Sequence, residues 1–144
     1  MKNNKTVIIT GGGTGIGKGI ALKLAKNNFN IILASRNISN LQKVKEECNK
    51  LNNHNVITVQ TDVTDSDSVS NLFEIVKDKF KKLDVLINNA GVFDGGPVDK
   101  LDIETWDKVL NINLRGAFLC LREAMKIMKP QKSGKIINIG SISG

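Results

Sequence analysis

Short runs rich in β-branched residues alternate along this chain with longer amphipathic stretches, and this alternation restricts the possible folds more than any other feature of the sequence. Strands are predicted at 6–10, 30–35, 56–60, 83–89 and 135–141, and helices at 15–28, 39–52, 66–81 and 105–129. Ser39 and Ser66 are the expected N-caps of the second and third helices, and Pro130 is expected to end the fourth. The order βαβαβαβαβ predicts an α/β fold, a doubly wound parallel sheet with helices on both faces, in one domain over residues 1–144.

The charge and the cysteines exclude several classes of function. The formal net charge is +7, but the lysines are spread over most segments without a basic run or interleaved aromatic residues. This pattern indicates a solvated surface and no nucleic-acid partner. Cys48 and Cys120 match no metal-ligand spacing, so no metal site is predicted and both are expected to be free thiols in a reducing compartment. Because no segment has the length and hydrophobicity of a signal peptide or a membrane span, we expect a cytoplasmic protein without a membrane partner.

The stretch TGGGTGIG, residues 10–17, lies between the first predicted strand and the first helix. Glycines at this point let the backbone approach a phosphate, and the N-terminus of the helix attracts the anion. Two common phosphate-binding patterns nearly fit and fail: G-x-G-x-x-G meets Ile16 instead of its third glycine, and G-x-x-x-x-G-K-[ST] meets Gly19 instead of a hydroxyl. Asp84 lies near the start of its strand, whereas a metal-binding carboxylate would be expected at a strand end. A nucleotide hydrolase is therefore the weaker alternative.

The spacing that does fit is T-G-x-x-x-G-x-G, formed by Thr10, Gly11, Gly15 and Gly17. It is followed in order by DV at 62–63, NNAG at 88–91, NINLRG at 111–116 and INIGSISG at 137–144. With these motifs the chain resembles the short-chain dehydrogenase/reductase family over essentially its whole length. The resemblance implies a Rossmann-like sheet with strand order 3-2-1-4-5 and an NAD(P)-dependent oxidoreductase acting on a carbonyl or alcohol substrate. It also implies a homo-oligomer formed through the 105–129 helix.

The end of the second strand predicts which cofactor is preferred. A carboxylate about twenty residues after the glycines would hold the ribose hydroxyls of NAD, but this chain has Ser35 there and Arg36 beside it. Because a guanidinium can bind a 2′-phosphate through paired hydrogen bonds, NADP (NADPH) is predicted over NAD. The alternative is that Arg36 is simply a solvated residue after a strand.

Other cofactor contacts follow from the resemblance. It implies that Asp62 meets the adenine and Val63 lines its pocket, although an N-cap role for Asp62 or Asp65 fits the spacing nearly as well. It also implies that Asn89 fixes the central sheet while Ala90 and Gly91 leave room for the cofactor ribose. The full set of predicted cofactor-binding residues is Thr10, Gly11, Gly13, Thr14, Gly15, Ile16, Gly17, Ser35, Arg36, Asp62, Val63, Asn89, Ala90, Gly91 and Ile139.

Two residues are candidates for catalysis. Asn113 falls on a helix-period apolar stripe, so it is expected to be a buried amide that needs partners. It is either tied to neighbouring backbone or, as the resemblance implies, the catalytic Asn that holds a water in a proton relay. Strand alternation places Ser141 on the same face as Ile137 and Ile139. The resemblance implies that Ser141 is the catalytic Ser that bonds the substrate oxygen, and the alternative is a plain turn residue. The predicted stripe consists of Trp106, Leu110, Ala117, Leu121, Ala124 and Met128.

The family moves its proton with the Tyr of a Tyr-x-x-x-Lys motif that follows the Ser. The sequence contains no Tyr. The interpretation is an incomplete member of the family whose chain stops before this motif, with doubtful activity of its own. The alternative is a non-catalytic dinucleotide-binding module or an inactive fragment.

Overall fold

A computed structural model describes residues 5–51, 53 and 55–142. In that part of the chain the strands are β1 (Thr6–Thr10), β2 (Asn30–Ser35), β3 (Val56–Gln60), β4 (Val85–Asn88) and β5 (Lys135–Asn138). The helices are α1 (Gly15–Ala25), α2 (Ile38–Lys50), α3 (Ser66–Phe80), α4 (Ile103–Leu110) and α5 (Gly116–Gln131). All strand pairs are parallel and their order is β3-β2-β1-β4-β5. The predicted α/β fold and strand order are confirmed.

Each face of the sheet buries a separate hydrophobic cluster, because successive residues of a strand point to opposite faces. On one face, Ile8 and Ile32 pack with α3 and α5. On the other face, Val7, Ile9 and Ile31 pack with α1 and α2. With both faces covered, β1 is buried along its whole length, as expected for the central strand of a doubly wound sheet. This packing fixes the carboxyl ends of the strands relative to one another.

The two predicted N-caps are wrong. Helix α2 begins one residue before Ser39, and its cap is Asn37, whose side chain accepts a hydrogen bond from the backbone N–H of Asn40 at 3.0 Å. Helix α3 begins at Ser66 itself, and its cap is Asp65. Asn and Asp cap helices as well as Ser does, so adjacent candidates cannot be ranked from the sequence.

The long fourth helix is interrupted. Between α4 and α5 lies a π-helical turn, Asn111–Arg115, in which the backbone N–H of Gly116 bonds to the carbonyl of Asn111 five residues earlier. Pro130 does not end α5 but lies inside its last turn, which extends to Gln131. A π-helical turn adds a residue to a helix and rotates the face that follows it.

The predicted apolar stripe is buried only in part. Ala124 and Met128 are buried, whereas Trp106 and Leu121 are exposed on the other side. The apolar residues of this helix divide into a buried set that packs under the sheet and a set that faces outward. We call the second set the exposed apolar face; it consists of Trp106, Leu110, Leu114, Phe118, Leu121 and Met125.

The last two strands are shorter than predicted. β4 covers Val85–Asn88, and Asp84 just before it lies at the amino edge of the sheet, where its carboxylate accepts from the backbone N–H of Thr6 at 2.7 Å. This placement gives Asp84 a structural role at the edge opposite the strand carboxyl ends. β5 ends at Asn138, so Ile139 and Ser141 lie beyond the strand rather than on one of its faces.

Cys48 and Cys120 are free and buried, as expected for thiols that form no disulfide. Desolvation by burial raises the pKa of Cys48 to about 11 and the pKa of Cys120 to about 12, with smaller contributions from Glu47 and Glu123 respectively. Both thiols therefore remain protonated and unreactive at neutral pH.

Candidate cofactor-binding and active site

Two adjoining cavities open beyond the carboxyl ends of the first four strands, where open α/β sheets bind their ligands. The outer cavity has a volume of about 710 Å³ and lies between the glycine turn after β1 and the start of α2, lined by Gly11, Gly13, Thr14 and residues 35–40. The inner cavity has a volume of about 150 Å³ and is lined by Gly11, Ala34, Ser35, Arg36, Thr61, Asp62, Val63, Ala90, Gly91, Val92 and Ile112. Because Gly11, Ser35 and Arg36 line both, the cavities form one continuous cleft.

The turn between β1 and α1 needs glycine at specific positions. Gly11 and Gly15 have φ values of +63° and +51°, in the left-handed region that side chains disfavour. Gly17 lies in α1, and a Cβ there would overlap the carbonyl oxygen of Gly11 and lie 2.6 Å from Nδ2 of Asn89. The glycine turn therefore packs tightly against α1, and the backbone of the turn remains accessible from the cleft.

Thr10 and Asn89 join the glycine turn to the end of β4. The hydroxyl of Thr10 donates to the carbonyl of Ile87 at 3.4 Å and accepts from the backbone N–H groups of Asn89 and Ala90, both at 3.0 Å. The side-chain amide of Asn89 donates to the carbonyls of Thr10 and Gly11, both at 3.1 Å. These hydrogen bonds attach the glycine turn to the end of β4, so the part of the cleft that the turn forms is held in place.

Arg36 is exposed at the start of the segment that connects β2 to α2. Its carbonyl accepts a hydrogen bond from the side-chain amide of Gln60 at 3.0 Å, and the hydroxyl of Ser35 donates to the carbonyl of Asn37 at 3.4 Å. These backbone contacts hold the segment without using the guanidinium. The Arg36 side chain thus brings positive charge to the cleft, and no carboxylate occupies the position of Ser35.

Asp62 follows β3 and lines the inner cavity. Its Oδ1 accepts from the backbone N–H of Thr64 at 2.9 Å and from the Thr64 hydroxyl at 2.7 Å. These two bonds, with a smaller contribution from the positive charge of Arg36, hold the pKa of Asp62 below its usual value. The N-cap alternative is confirmed for Asp65, which caps α3, and is wrong for Asp62.

Asn113 lies in the π-helical turn and is exposed, contrary to the burial predicted from the stripe. Its amide pairs with one backbone residue: Oδ1 accepts from the N–H of Val92 and Nδ2 donates to the carbonyl of Val92, both at 2.8 Å. This pairing confirms the alternative in which the Asn113 amide is tied to neighbouring backbone. A role in a proton relay stays a prediction.

Ser141 and Ile139 lie past β5 and are exposed. The ladder between β4 and β5 continues for one further bond, from the N–H of Ile139 to the carbonyl of Asn88 at 2.9 Å, which fixes where this segment leaves the sheet. Neither residue lines the outer or the inner cavity, and the same holds for Ile16, which is 63% exposed on the first turn of α1. The cleft therefore brings together nine predicted residues: Gly11, Gly13, Thr14, Ser35, Arg36, Asp62, Val63, Ala90 and Gly91. Five other predicted residues also line neither cavity: Thr10, Gly15, Gly17, Asn89 and Asn113.

Sequence reasoning missed several residues of the cleft. Ile112 lines the inner cavity although it belongs to the helix, because the π-helical turn brings that segment over the strand ends. Asn37 and Asn40 line the outer cavity, and the only available signal was that an Asn after a strand often caps the next helix. Arg115 was not among the predicted site residues, yet its guanidinium reaches the loop after β3.

The outer cavity adjoins the glycine turn, and the inner cavity adjoins the segments that follow β3 and β4. The described residues contain no group of three or more His, Cys, Asp or Glu that could hold a metal ion. Within the same residues, none of the helices has the length and hydrophobicity that crossing a membrane requires.

Comparisons with known proteins agree with this geometry. The family model for short chain dehydrogenases matches residues 5–144. An uncharacterised oxidoreductase of Staphylococcus aureus (strain MW2) is 36% identical over 141 residues, which are 98% of this chain and 60% of that protein. A 3-oxoacyl-[acyl-carrier-protein] reductase of Synechocystis sp. is 36% identical over 140 residues, 97% of this chain and 57% of that protein.

Two solved structures are similar in fold. A variant of actinorhodin polyketide ketoreductase, crystallised with NADPH, superposes with a TM-score of 0.92 at 28% identity, covering 98% of this chain and 54% of that one. Levodione reductase superposes with a TM-score of 0.94 at 32% identity, covering 98% of this chain and 55% of that one. The chain thus spans less than two thirds of the length of these relatives.

Proposed function

Because this chain belongs to the short-chain dehydrogenase family, we propose that it forms the dinucleotide-binding portion of an oxidoreductase that prefers NADP(H) and transfers hydride between the nicotinamide and a carbonyl or alcohol substrate. The observation that carries the proposal is the continuous cleft between the glycine turn and Arg36. A glycine turn, an inner cavity of about 150 Å³ and an exposed cation occur there together, and these support a dinucleotide site. The ketoreductase of similar fold that was crystallised with NADPH is consistent with this assignment.

The residues present fit the cofactor. The space above Gly15 is open, since none of the described atoms lies within 4 Å of the position its Cβ would take, so a phosphate can approach the backbone there. Asp62 and Val63 would contact the base, and Ala90 and Gly91 would leave room for a ribose. Arg36 would bind the 2′-phosphate, which is the contact that separates NADP from NAD.

The proposed roles in catalysis concern orientation and hydrogen bonding. The bound nicotinamide would supply or accept the hydride. Ser141 would donate a hydrogen bond to the substrate oxygen. The side-chain amide of Asn113 is already paired with Val92 and would hold the segment after β4 against the helix. Asn113 would take part in proton transfer only through polar groups that are not bonded to Val92.

The cofactor preference is tested by titrating NADPH and NADH against the wild-type chain and Arg36→Ala. Charge-assisted hydrogen bonds of about 1.5–3 kcal/mol each, partly offset by desolvation, predict a tenfold to hundredfold preference for NADPH, on the order of 1.4–2.8 kcal/mol. Arg36→Ala should lose this preference. Arg122→Ala is the matched control, because it removes an exposed guanidinium on α5 outside both cavities. Equal affinity of the wild type for the two cofactors would refute the assignment of Arg36.

A second candidate function is a dinucleotide-binding module without catalysis. The 144 residues contain no Tyr that could serve as the proton donor. A positioned proton donor contributes about 10²–10⁴-fold to the rates of reactions that need one. We therefore expect the purified 144-residue chain to bind NADPH and to reduce carbonyl compounds no faster than background. Turnover that depends on NADPH and is lost in Ser141→Ala would show instead that another group supplies the proton.

We propose that the partner of this chain is a second copy, bound through the exposed apolar face. The six residues of this face recur every three or four positions along α4, the π-helical turn and α5. Phe118 and Leu121 lie in the first half of α5 and are 54% and 37% exposed. A stripe of this kind can pair with itself about a two-fold axis, since each copy offers the same surface.

A further inference from the structure

The contacts between the loop after β3 and the π-helical turn point to Arg115 as a positioning residue. We propose that Arg115 couples the occupancy of the inner cavity to the position of Asn113. The inference rests on the proposed function, since the inner cavity is the site assigned to the adenine. Arg115 acts through its neighbours and is not placed in contact with the cofactor.

Thr64 is held from two sides. Its backbone N–H and its hydroxyl both donate to Oδ1 of Asp62, at 2.9 and 2.7 Å. Its carbonyl accepts a hydrogen bond from Nη1 of Arg115 at 2.5 Å. A residue that lines the inner cavity is therefore joined to the π-helical turn through one intervening residue. The same Nη1 lies 3.5 Å from Oδ1 of Asn111, so that the guanidinium also contacts the first residue of the turn.

A packing contact runs beside this hydrogen bond. A Cβ on Gly116 would lie 2.8 Å from Cγ2 of Val63 and 3.3 Å from its carbonyl oxygen, so the helix backbone touches the loop directly at this point. Close packing of this kind transmits displacement rather than absorbing it. Gly116 alone, however, contributes only van der Waals contact, whereas Arg115 attaches the loop to the turn by a charge-assisted hydrogen bond.

Arg115 joins the loop after β3 to the π-helical turn, and both segments line the inner cavity. Asp62 and Val63 line one wall, and Val92 and Ile112 line the other. Asn113 follows Ile112 directly and pairs with Val92 through both atoms of its amide. A base that enters the cavity and adjusts the spacing of these walls would therefore change the geometry of the Asn113–Val92 pair. Turns of the π type occur often at functional sites, where a local irregularity allows such adjustment.

The experiment uses adenosine 2′,5′-bisphosphate, which carries the adenosine half of NADP and no nicotinamide. The ¹⁵N-labelled 144-residue chain is titrated while the side-chain amide resonances of Asn113 are followed. In the wild type these resonances should shift as the ligand saturates. In Arg115→Ala the ligand should still bind, with a Kd within about threefold of the wild type, because the removed side chain does not touch it. The shift at Asn113 should then be lost.

Two further variants separate positioning from a general loss of stability. Arg115→Lys keeps a cationic donor for the carbonyl of Thr64 and should restore the shift. Lys129→Ala removes an exposed cation about four turns further along the helix and should leave the shift unchanged. The same shift in the wild type and in Arg115→Ala, or no shift in a saturated wild type, would overturn the inference alone. A wild type that binds neither this ligand nor NADPH would overturn the proposed function and the inference with it.

Discussion

Replacing Gly17 by alanine tests whether the glycine turn is built as the structure describes. Alanine favours a helix over glycine by up to about 1 kcal/mol, so on helix propensity alone the change at this position of α1 should stabilise the protein. The Cβ would instead overlap the carbonyl oxygen of Gly11 and lie 2.6 Å from Nδ2 of Asn89. The carbonyl of Gly11 belongs to the backbone, and the amide of Asn89 is fixed by hydrogen bonds to Thr10 and Gly11. Moving either group to admit the Cβ would therefore cost free energy.

The magnitude follows from overpacking a rigid site, which typically costs about 1–3 kcal/mol. Gly19→Ala is the matched control, because Gly19 lies two residues further along α1, is exposed, and no described atom lies within 4 Å of its Cβ position. It should gain about 0.5–1 kcal/mol from helix propensity. The two variants should thus differ in free energy of unfolding by about 1.5–4 kcal/mol.

Urea denaturation followed by circular dichroism measures this difference. With an m-value of about 2 kcal/mol/M, the midpoint of Gly17→Ala should lie about 1–2 M below that of Gly19→Ala. NADPH binding should weaken by more than about tenfold in Gly17→Ala, since Gly11 lines both cavities and must move to admit the methyl group. Equal midpoints for the two variants would refute the tight closure of the turn on its helix.

Two further predictions concern pH dependence and assembly. Thr64 donates two hydrogen bonds to the carboxylate of Asp62, so the pKa of Asp62 is lower in the folded chain than the unfolded value of about 3.9. The ionised Asp62 therefore stabilises the fold above the unfolded pKa. This stabilisation is lost as the pH falls through the folded pKa. The difference in unfolding free energy between wild type and Asp62→Asn should therefore shrink as the pH is lowered from neutrality through the folded pKa of Asp62, and a difference independent of pH would contradict this account. Leu114, 66% exposed at the centre of the exposed apolar face, should be essential for self-association, so Leu114→Lys should sediment as a monomer at concentrations where the wild type does not. The surface control Lys129→Ala should sediment like the wild type, and identical sedimentation of Leu114→Lys and wild type would exclude this face as the interface.

The sequence was sufficient for the architecture because strand and helix periods differ clearly and parallel sheets restrict topology. The β1 run TVIIT is buried along its full length, and the order of the five strands follows from the crossover rule together with the family resemblance. Boundaries were less predictable. Asn37 and Ser39 are both good caps, and only the tertiary position of α2 decides between them.

The site was predictable where its residues follow a strand directly, and unpredictable where the helix deviates from its regular period. The family resemblance pointed to Asp62 and Gly91, and both line the inner cavity because the carboxyl ends of parallel strands meet at one edge of the sheet. The place of Ile112 in the inner cavity and the exposure of Asn113 depend on the π-helical turn. A sequence pattern read at 3.6 residues per turn cannot anticipate an inserted residue.

The hydrogen bonds of Thr10 have a consequence for the order of folding. The hydroxyl joins the glycine turn to Ile87, Asn89 and Ala90, residues 77 to 80 positions later in the chain. Contacts between residues so far apart require a large loop to close first, which slows their formation. The phosphate site proposed at the glycine turn would therefore be complete only after β4 has joined β1, long after its own helix can form. A nascent chain that has been synthesised only to the end of α3 would carry every residue of the motif TGGGTGIG, and would not yet bind a nucleotide.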